Sequence, residues 1–210
     1  MHKLIEDLNW RYATKKFDPT KKISSDDLEV IKESLRLVPT SYGLQSMKFL
    51  IVESKEIREQ LLLASFGQKQ IVDASHLLVL CAYKDITPIH IDAYAENIAN
   101  TRDHSVEAVA GYRDFIKRTV SSMSEEQKTA WNSKQLYIAL GQLMTTCANL
   151  RIDATPMEGF NASKVDEILE LNKKNLTSVL LCPIGFRHED DDLQFAKKVR
   201  KSHNDLFETI

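Results

Sequence analysis

Glycine is scarce in this sequence, and its few positions exclude the common nucleotide-binding loops. Only six glycines occur in 210 residues, and no two of them are closer than 18 positions. The G-x-G-x-x-G dinucleotide fingerprint and the G-x-x-x-x-G-K-[ST] phosphate loop are therefore both excluded. If this protein binds a phosphate group, cationic side chains or an isolated helix N-terminus must hold it.

Other familiar signatures are also missing. The sequence has no H-E-x-x-H, no G-x-S-x-G and no Cys/His set at metal-ligand spacing, so we expect no metal site. The three cysteines, Cys81, Cys147 and Cys182, lie in apolar runs without C-x-x-C spacing. This pattern favours buried small side chains in a reducing cytoplasm over a metal or disulfide role.

Charge and hydropathy argue against two classes of partner. Lys and Arg number 28 against 30 Asp and Glu, whereas a nucleic-acid-binding domain usually shows a basic excess. The longest apolar run, residues 77–83, is far shorter than a bilayer-spanning helix. The N-terminus carries acidic residues where a signal peptide has a cationic and then an apolar block. We therefore expect a cytoplasmic protein that binds neither nucleic acid nor membrane.

The spacing of apolar residues predicts an α+β fold in which several helices surround a small buried sheet. Caps and helical periodicity predict helices over residues 2–9, 24–38, 54–64, 88–121, 124–151 and 161–169. Short apolar runs bounded by breakers predict strands at 48–52, 76–83 and 178–185, with a fourth near residue 154. Residues 133–151 are apolar nearly all round the helix, so we expect a second chain to cover part of it.

Cationic side chains near both ends of the chain are candidates for an anion site. Arg11, Ala13 and Lys15 alternate, as do Lys198 and Arg200. Residues two apart in an extended segment point the same way, so each set could converge on one anion. The alternative is that these are solvated terminal clusters. The acidic run at 189–192 is interpreted as a solvated turn.

Two short loops have the composition of ligand-binding segments. Gly159 follows Pro156, Met157 and Glu158, and an isolated glycine there would let the backbone approach a planar ligand closely. An ordinary loop glycine is the alternative interpretation. Residues 38–45 form a small polar turn between a helix and a strand, with groups that can bond the edges of a heterocycle.

Together these segments resemble the FMN-dependent nitroreductase family, in particular its branch of oxygen-insensitive NAD(P)H nitroreductases and dihydropteridine reductases. The resemblance extends over essentially the whole chain and rests on five motifs in the right order. They are Arg11-Tyr-Ala-Thr-Lys-Lys-Phe-Asp, Pro39-Thr-Ser-Tyr-Gly-Leu-Gln, Gln68-Lys-Gln-Ile-Val-Asp-Ala-Ser-His, Pro156-Met-Glu-Gly-Phe and Lys198-Val-Arg. The sequence departs from the family in having Ser46-Met47 where Pro-Trp is common, and Gly43 where Asn is common.

The resemblance implies a nitroreductase-like fold with a small mixed central sheet surrounded by helices, in an intertwined homodimer. Residues 1–210 would form a single domain. Within it, about 88–121 would build a variable helical wall beside the substrate, and about 190–210 would form a C-terminal extension packing on the partner subunit. Two tightly bound FMN molecules would lie at the subunit interface, each contacted by both chains.

The resemblance also assigns cofactor-binding residues by position. These are Arg11, Tyr12, Ala13, Lys15, Pro39, Thr40, Ser41, Gly43, Gln68, Gln70, Pro156, Met157, Glu158, Gly159, Lys198 and Arg200. The two arginines and Lys198 would bind the phosphate, and Lys15 would lie near the flavin N1–C2=O edge, where a cation stabilises the reduced ring. Ala13 stands where the family often has Ser.

The remaining segments would contact other parts of the flavin. A backbone N–H of Glu158 or Gly159 would point at N5, and residues 39–43 would reach the cofactor of the other subunit. Either Gln68 or Gln70 would lie at the pyrimidine edge, where some relatives have a lysine.

The implied activity requires no catalytic side chain. NAD(P)H would reduce the flavin and leave, and a flat acceptor such as a nitroaromatic or a quinone would then occupy the same place, which predicts ping-pong kinetics. Two alternatives stay open. One is another reductive flavoenzyme on this fold, either dehalogenase-like or flavin-fragmenting. The other is a flavin-binding dimer without catalysis.

Overall fold

The computed structural model describes residues 2–210, which form helices around one four-stranded sheet. The helices described are α1 (Lys3–Trp10), α2 (Ser25–Arg36), α3 (Lys55–Ala64), α4 (Gln70–Asp73), α5 (Pro88–Thr101), α6 (Val106–Ser121), α7 (Glu125–Asn149), α8 (Ala162–Ile168) and α9 (His203–Leu206). The strands are β1 (Met47–Val52), β2 (His76–Tyr83), β3 (Asp153–Ala154) and β4 (Leu176–Gly185). Three 3₁₀ turns lie at Ser41–Gly43, Leu171–Lys174 and Asp192–Phe195.

The sheet has the order β1-β2-β4-β3, and every neighbouring pair is antiparallel. The α+β class and all four predicted strands are confirmed. The prediction of a mixed sheet is wrong. Each strand begins at the end of the sheet where the strand it pairs with finishes, so paired strands run in opposite directions. Helices α3 and α4, for example, pack against each other, so β2 begins beside the end of β1, with Val52 opposite Leu77.

The central strand β2 is apolar throughout because both of its faces are covered. Leu78 and Leu80 face a core formed with α2 and α7, whereas Leu77 and Val79 face a second core formed with α3 and α8. A strand buried on both sides has an uninterrupted apolar run rather than an alternating one. The three cysteines are buried in these two cores and make no disulfide, as expected.

The region 88–121 is two helices rather than one. Helix α5 ends at Thr101, Asp103 adopts φ 52°, and Ser105 caps the first turn of α6 by accepting from the Ala108 N–H. The two helices pack on each other as a hairpin. The sequence contains the signals for this break, a cap serine and an aspartate that tolerates the left-handed conformation. The prediction of one continuous helix rests on the absence of an internal proline, and it is wrong.

Helix α7 is enclosed on one side only. Leu136, Leu140 and Leu143 are in the core, whereas Tyr137 and Ile138 are each 46% exposed. Within residues 2–210, no helix is both long and apolar enough to cross a membrane.

Replacing glycine by alanine should change the unfolding free energy in opposite directions at two positions. In Gly185→Ala, the new Cβ would lie 2.8 Å from the Ser75 backbone nitrogen and 3.1 Å from Phe17 Cδ1, so we expect a loss of about 1–3 kcal/mol in unfolding free energy. In Gly111→Ala, within α6, nothing lies within 4 Å of the new Cβ, and helix propensity predicts a gain of about 0.5–1 kcal/mol. Urea unfolding of both variants checks this, and a change of equal sign would contradict the packing at Gly185.

Candidate functional site

The segment after α1 is held by a buried ion pair at the edge of the sheet. Asp153 of β3 accepts hydrogen bonds from Arg187, at 2.8 Å from its backbone N–H and 2.6 Å from Nη2. The same carboxylate accepts a bond from the Thr14 hydroxyl at 3.2 Å. The side chains of Asp153 and Arg187 are only 3% and 18% exposed. This pair fixes Thr14 toward the protein interior.

Aromatic rings complete this attachment. The Arg187 guanidinium lies 4.1 Å from the Trp10 ring centre and 4.6 Å from that of Tyr12, which are favourable cation–π distances. The Thr155 hydroxyl donates to the Thr14 carbonyl at 2.7 Å. Thr14 points inward, whereas Arg11, Ala13 and Lys15 lie on the outer side together with Trp10 and Tyr12.

A cleft of about 380 Å³ lies on that outer side. Residues from both ends of the chain line it, among them Arg11, Tyr12, Ala13, Lys15, Lys198 and Arg200. Lys198 Nζ donates to the Arg11 carbonyl, so the two cationic segments touch. The structure therefore brings together the two sets of cations that are separated by most of the sequence.

The electrostatics of this cleft favour an anion. Burial is the main cause that lowers the pKa of Arg11, and the charge of Arg200 lowers it further. The pKa of Lys198 is also lowered mainly by burial, and then by the charges of Arg11 and Arg200. Among residues 2–210, no carboxylate lies within ion-pair distance of these three cations. Partly buried cations that lie beside other cations and have no counter-ion are typical of a site that binds a negatively charged group. We refer to this site as the cation cleft.

The interpretation of the acidic run as a solvated turn is wrong for Asp191. This residue is 2% exposed, and its carboxylate accepts from the backbone N–H groups of Lys15, Lys16 and Leu193, at 2.7, 3.0 and 3.2 Å. Burial alone would raise the pKa of Asp191, but these hydrogen bonds bring it below its ordinary value. The signal missed in the sequence is that an aspartate can cap the following turn, Asp192–Phe195.

A second segment, residues 156–159, follows β3 and pairs with β4 at Met157. Met157 exchanges two backbone hydrogen bonds with Leu181, at 2.8 and 3.1 Å. The next two residues, Glu158 and Gly159, are exposed, and within residues 2–210 their backbone N–H groups donate to no other group. Because Thr155 bonds Thr14, this segment and residues 11–15 are neighbours.

Side chains from two other elements support residues 158 and 159. Gln68 Nε2 donates to the Gly159 carbonyl at 2.7 Å, and the Tyr137 hydroxyl donates to Glu158 Oε1 at 2.7 Å. Gln70 lies buried in the first turn of α4. Of the two glutamines proposed from the sequence, Gln68 is thus the one that contacts the glycine segment.

The polar turn at 39–45 lies elsewhere in the chain and does not line the cation cleft. The Ser41 N–H donates to Gln135 of α7 at 2.8 Å. Tyr42 has φ 59°, and its carbonyl accepts from the Tyr94 and Tyr112 hydroxyls, at 2.7 and 3.0 Å. Gly43 has φ 73°, and a Cβ there would collide with the Tyr94 hydroxyl, which accounts for glycine at this position.

Aromatic side chains surround the same turn. The Tyr42 ring centre lies 6.0 Å from that of Phe115 and 5.9 Å from that of Trp131. Tyr112 and Phe115, which lie in the predicted helical wall, are 41% and 46% exposed. They are therefore surface residues that contact the turn.

The departure at Ser46 has a structural role. Its buried hydroxyl donates to Asn132 Oδ1 at 2.7 Å, and the Asn132 amide donates to the Tyr83 carbonyl at 2.9 Å. These bonds tie the start of β1 to α7 and to the end of β2.

Comparison with known proteins gives the family. The model of the nitroreductase family matches residues 8–186. A Staphylococcus epidermidis protein, named as a candidate NAD(P)H nitroreductase, is 35% identical over 99% of this chain and 96% of its own length. The chain belongs to the nitroreductase family. It is thus an oxidoreductase by family. The range that the family model matches ends at residue 186, before the cations Lys198 and Arg200.

Solved nitroreductase structures share the fold. A Bacillus subtilis protein of this class superposes with a TM-score of 0.88 at 21% identity, over 99% of both chains. A protein from Exiguobacterium sibiricum, solved in complex with FMN, gives a TM-score of 0.83 at 20% identity, over 99% of this chain and 97% of its own.

The buried ion pair makes a stability prediction. In Asp153→Asn the Arg187 charge loses its partner, so we expect unfolding free energy to fall by about 3–5 kcal/mol. The control is Glu33→Gln, which breaks the exposed Glu33–Arg36 pair and should cost less than about 1 kcal/mol. Urea unfolding measures both, and similar small losses would show that the buried pair is not critical.

The cation cleft predicts stabilisation by phosphate. Inorganic phosphate at ten times its Kd should add about 1.4 kcal/mol of stability, or roughly 3–6 °C in Tm for a chain of this size. Arg11→Gln should lose most of this shift, whereas Arg36→Gln, at an exposed pair in α2, should keep it. Thermal scans against chloride at matched ionic strength check this, and equal shifts in the two variants would place the phosphate elsewhere.

Proposed function

We propose that this nitroreductase-family protein is an FMN-dependent NAD(P)H oxidoreductase that passes electron pairs to nitroaromatics, quinones or similar flat acceptors. The observation that carries the proposal is the cation cleft, where Arg11, Lys198 and Arg200 face one space without a counter-ion. A phosphate monoester would supply the negative counter-charge for these three cations.

The residues present suit both the phosphate and the ring of FMN. The three cations would hold the phosphate, with Tyr12 and Ala13 beside them, and Lys15 would lie toward the electron-rich edge of the ring. The exposed N–H groups of Glu158 and Gly159 offer hydrogen bonds to a planar heterocycle, with Pro156 and Met157 along the same segment. When bound, FMN would supply two-electron chemistry between NAD(P)H and the acceptor.

The protein's own groups would position and stabilise rather than transfer protons. Gln68 and Tyr137 hold residues 158 and 159 in place, and we place the Gln68 amide, rather than that of Gln70, at the pyrimidine edge. A cation at Lys15 would favour the reduced, negatively charged ring over the oxidised one. Because donor and acceptor would use one exposed face in turn, the kinetics would be ping-pong.

A homodimer would complete the site. The C-terminal residues 193–210 leave large apolar side chains in solvent, including Phe195, Val199, Phe207 and Ile210, and Tyr137 and Ile138 of α7 are half exposed. Burying such surface between two chains is favourable, and residues 39–43 (Pro39, Thr40, Ser41 and Gly43 among them) would then reach the partner's FMN. The helical hairpin of 88–121 would form the substrate wall. Sedimentation of the holoprotein as a 24.0 kDa monomer would contradict this assembly.

The three free, buried cysteines suit a reducing compartment, so we place the protein in the cytoplasm. We propose no role with nucleic acid or membrane.

The test begins with the visible spectrum of the purified protein and chromatography of the chromophore that heat releases. We expect FMN in a one-to-one ratio with the chain, rapid anaerobic bleaching by NADH or NADPH, and parallel double-reciprocal plots with a nitroaromatic or quinone. Arg200→Gln should lose FMN on gel filtration, whereas Arg36→Gln should retain it.

The other outcomes identify the alternatives. Bound FMN that neither nucleotide bleaches would indicate a flavin-binding dimer without catalysis. Halide release from a halogenated phenol, without reduction of nitroaromatic or quinone, would indicate a different reductive enzyme. A colourless protein that does not take up FMN would overturn the proposal.

A further inference from the structure

The cation cleft is assembled from two irregular segments at opposite ends of the chain. Residues 11–15 follow α1, and residues 196–200 lie in a stretch without helix or strand that is exposed except at the half-buried Lys198. The Lys198 ammonium donates to the Arg11 carbonyl, and the His188 N–H donates to the Lys16 carbonyl, but within residues 2–210 no helix, paired strand or ion pair joins Arg11 to Lys198 and Arg200. Since the three cations repel one another, their convergence needs a cause in the surrounding structure.

One buried side chain contacts both the N-terminal segment and the turn that precedes residues 196–200. Asp191 Oδ2 accepts from the N–H groups of Lys15 and Lys16, at 2.7 and 3.0 Å, and Asp191 Oδ1 accepts from the Leu193 N–H at 3.2 Å. The first two donors belong to the N-terminal segment, and the third opens the turn that leads to Lys198. A carboxylate is an acceptor with several lone-pair sites, so it can bond both segments at once.

We propose that Asp191 is the positioning residue of the cation cleft, joining the N-terminal and C-terminal cations into one phosphate-binding site. This inference rests on the proposed function, because it names what gives that site its selectivity for the phosphate end of FMN. Asp191 does not line the cleft, so it acts through the backbone of Lys15, Lys16 and Leu193.

The geometry also explains why this position needs an aspartate. Hydrogen bonds to an ionised acceptor are shorter and stronger than neutral ones, and those at Lys15 and Lys16 hold two consecutive N–H groups. The neutral Asn amide is isosteric, but one of its two heavy atoms is a donor that would face an N–H. Asp191→Asn therefore loses the hydrogen bonds at one end of the link while it conserves volume.

The experiment compares FMN with riboflavin, which has the same ring and no phosphate. In the wild-type protein FMN should bind more tightly, as measured by flavin fluorescence titration. In Asp191→Asn we expect FMN affinity to fall about ten-fold or more, and riboflavin affinity to fall clearly less, because riboflavin shares the ring contact near Lys15 but has no phosphate. The control is Asp190→Asn, which makes the same charge change at a side chain that is 70% exposed, and both affinities should be retained.

Hydrogen exchange provides a readout that does not depend on flavin. In Asp191→Asn the amides of residues 15, 16 and 193 should exchange faster than in the Asp190→Asn control, with global stability followed by thermal unfolding. If Asp191→Asn does not fold, Asp191→Glu keeps the charge but moves the carboxylate by one methylene, and a reduced preference for FMN is expected there too.

The outcomes separate this inference from the proposed function. An unchanged ratio of FMN to riboflavin affinity in Asp191→Asn, or an equal loss of both ligands, would overturn the positioning role and leave the proposed function standing. A wild-type protein that binds FMN no better than riboflavin would overturn both, and that result is visible before any variant is made.

Discussion

The ion pair between Asp153 and Arg187 is the constraint on which the candidate site depends. A buried pair costs desolvation, and it is tolerated when its remaining hydrogen-bonding capacity is used. Here Thr14 bonds the carboxylate, while Trp10 and Tyr12 cover the guanidinium. The pair therefore attaches the N-terminal segment to the edge of the sheet. Because Thr14 also bonds Thr155, the N-terminal segment is held next to the stretch that leads to Glu158 and Gly159.

The site combines a rigid frame with unfavourable local features. The sheet is covered on both faces, whereas the cations lie on irregular segments at its rim, as binding residues commonly do. Three unpaired cations and exposed backbone donors contribute nothing to stability by themselves. Such local conflicts are expected where function requires them. Buried groups such as Asp191 hold these segments in place.

The polar turn at 39–45 is held by contacts from the helical hairpin of α5 and α6. Tyr42 and Gln45 both have positive φ, an uncommon conformation for residues other than glycine. Two tyrosine hydroxyls, from α5 and α6, bond the Tyr42 carbonyl. Changes in that helical hairpin would therefore alter the position of the turn.

The sequence by itself determined the α+β class, the four strands, the alternation of Arg11, Ala13 and Lys15, and the resemblance that family comparison bore out. These depend on local periodicity, caps and short motifs, which neighbouring residues encode directly. Tertiary structure alone decided the antiparallel pairing, the contact between Gln68 and Gly159, and the burial of Asp191. The last two join residues far apart in the chain, and an aspartate in an acidic run has the same local pattern whether it faces water or three backbone N–H groups. Only the folded chain supplies those donors.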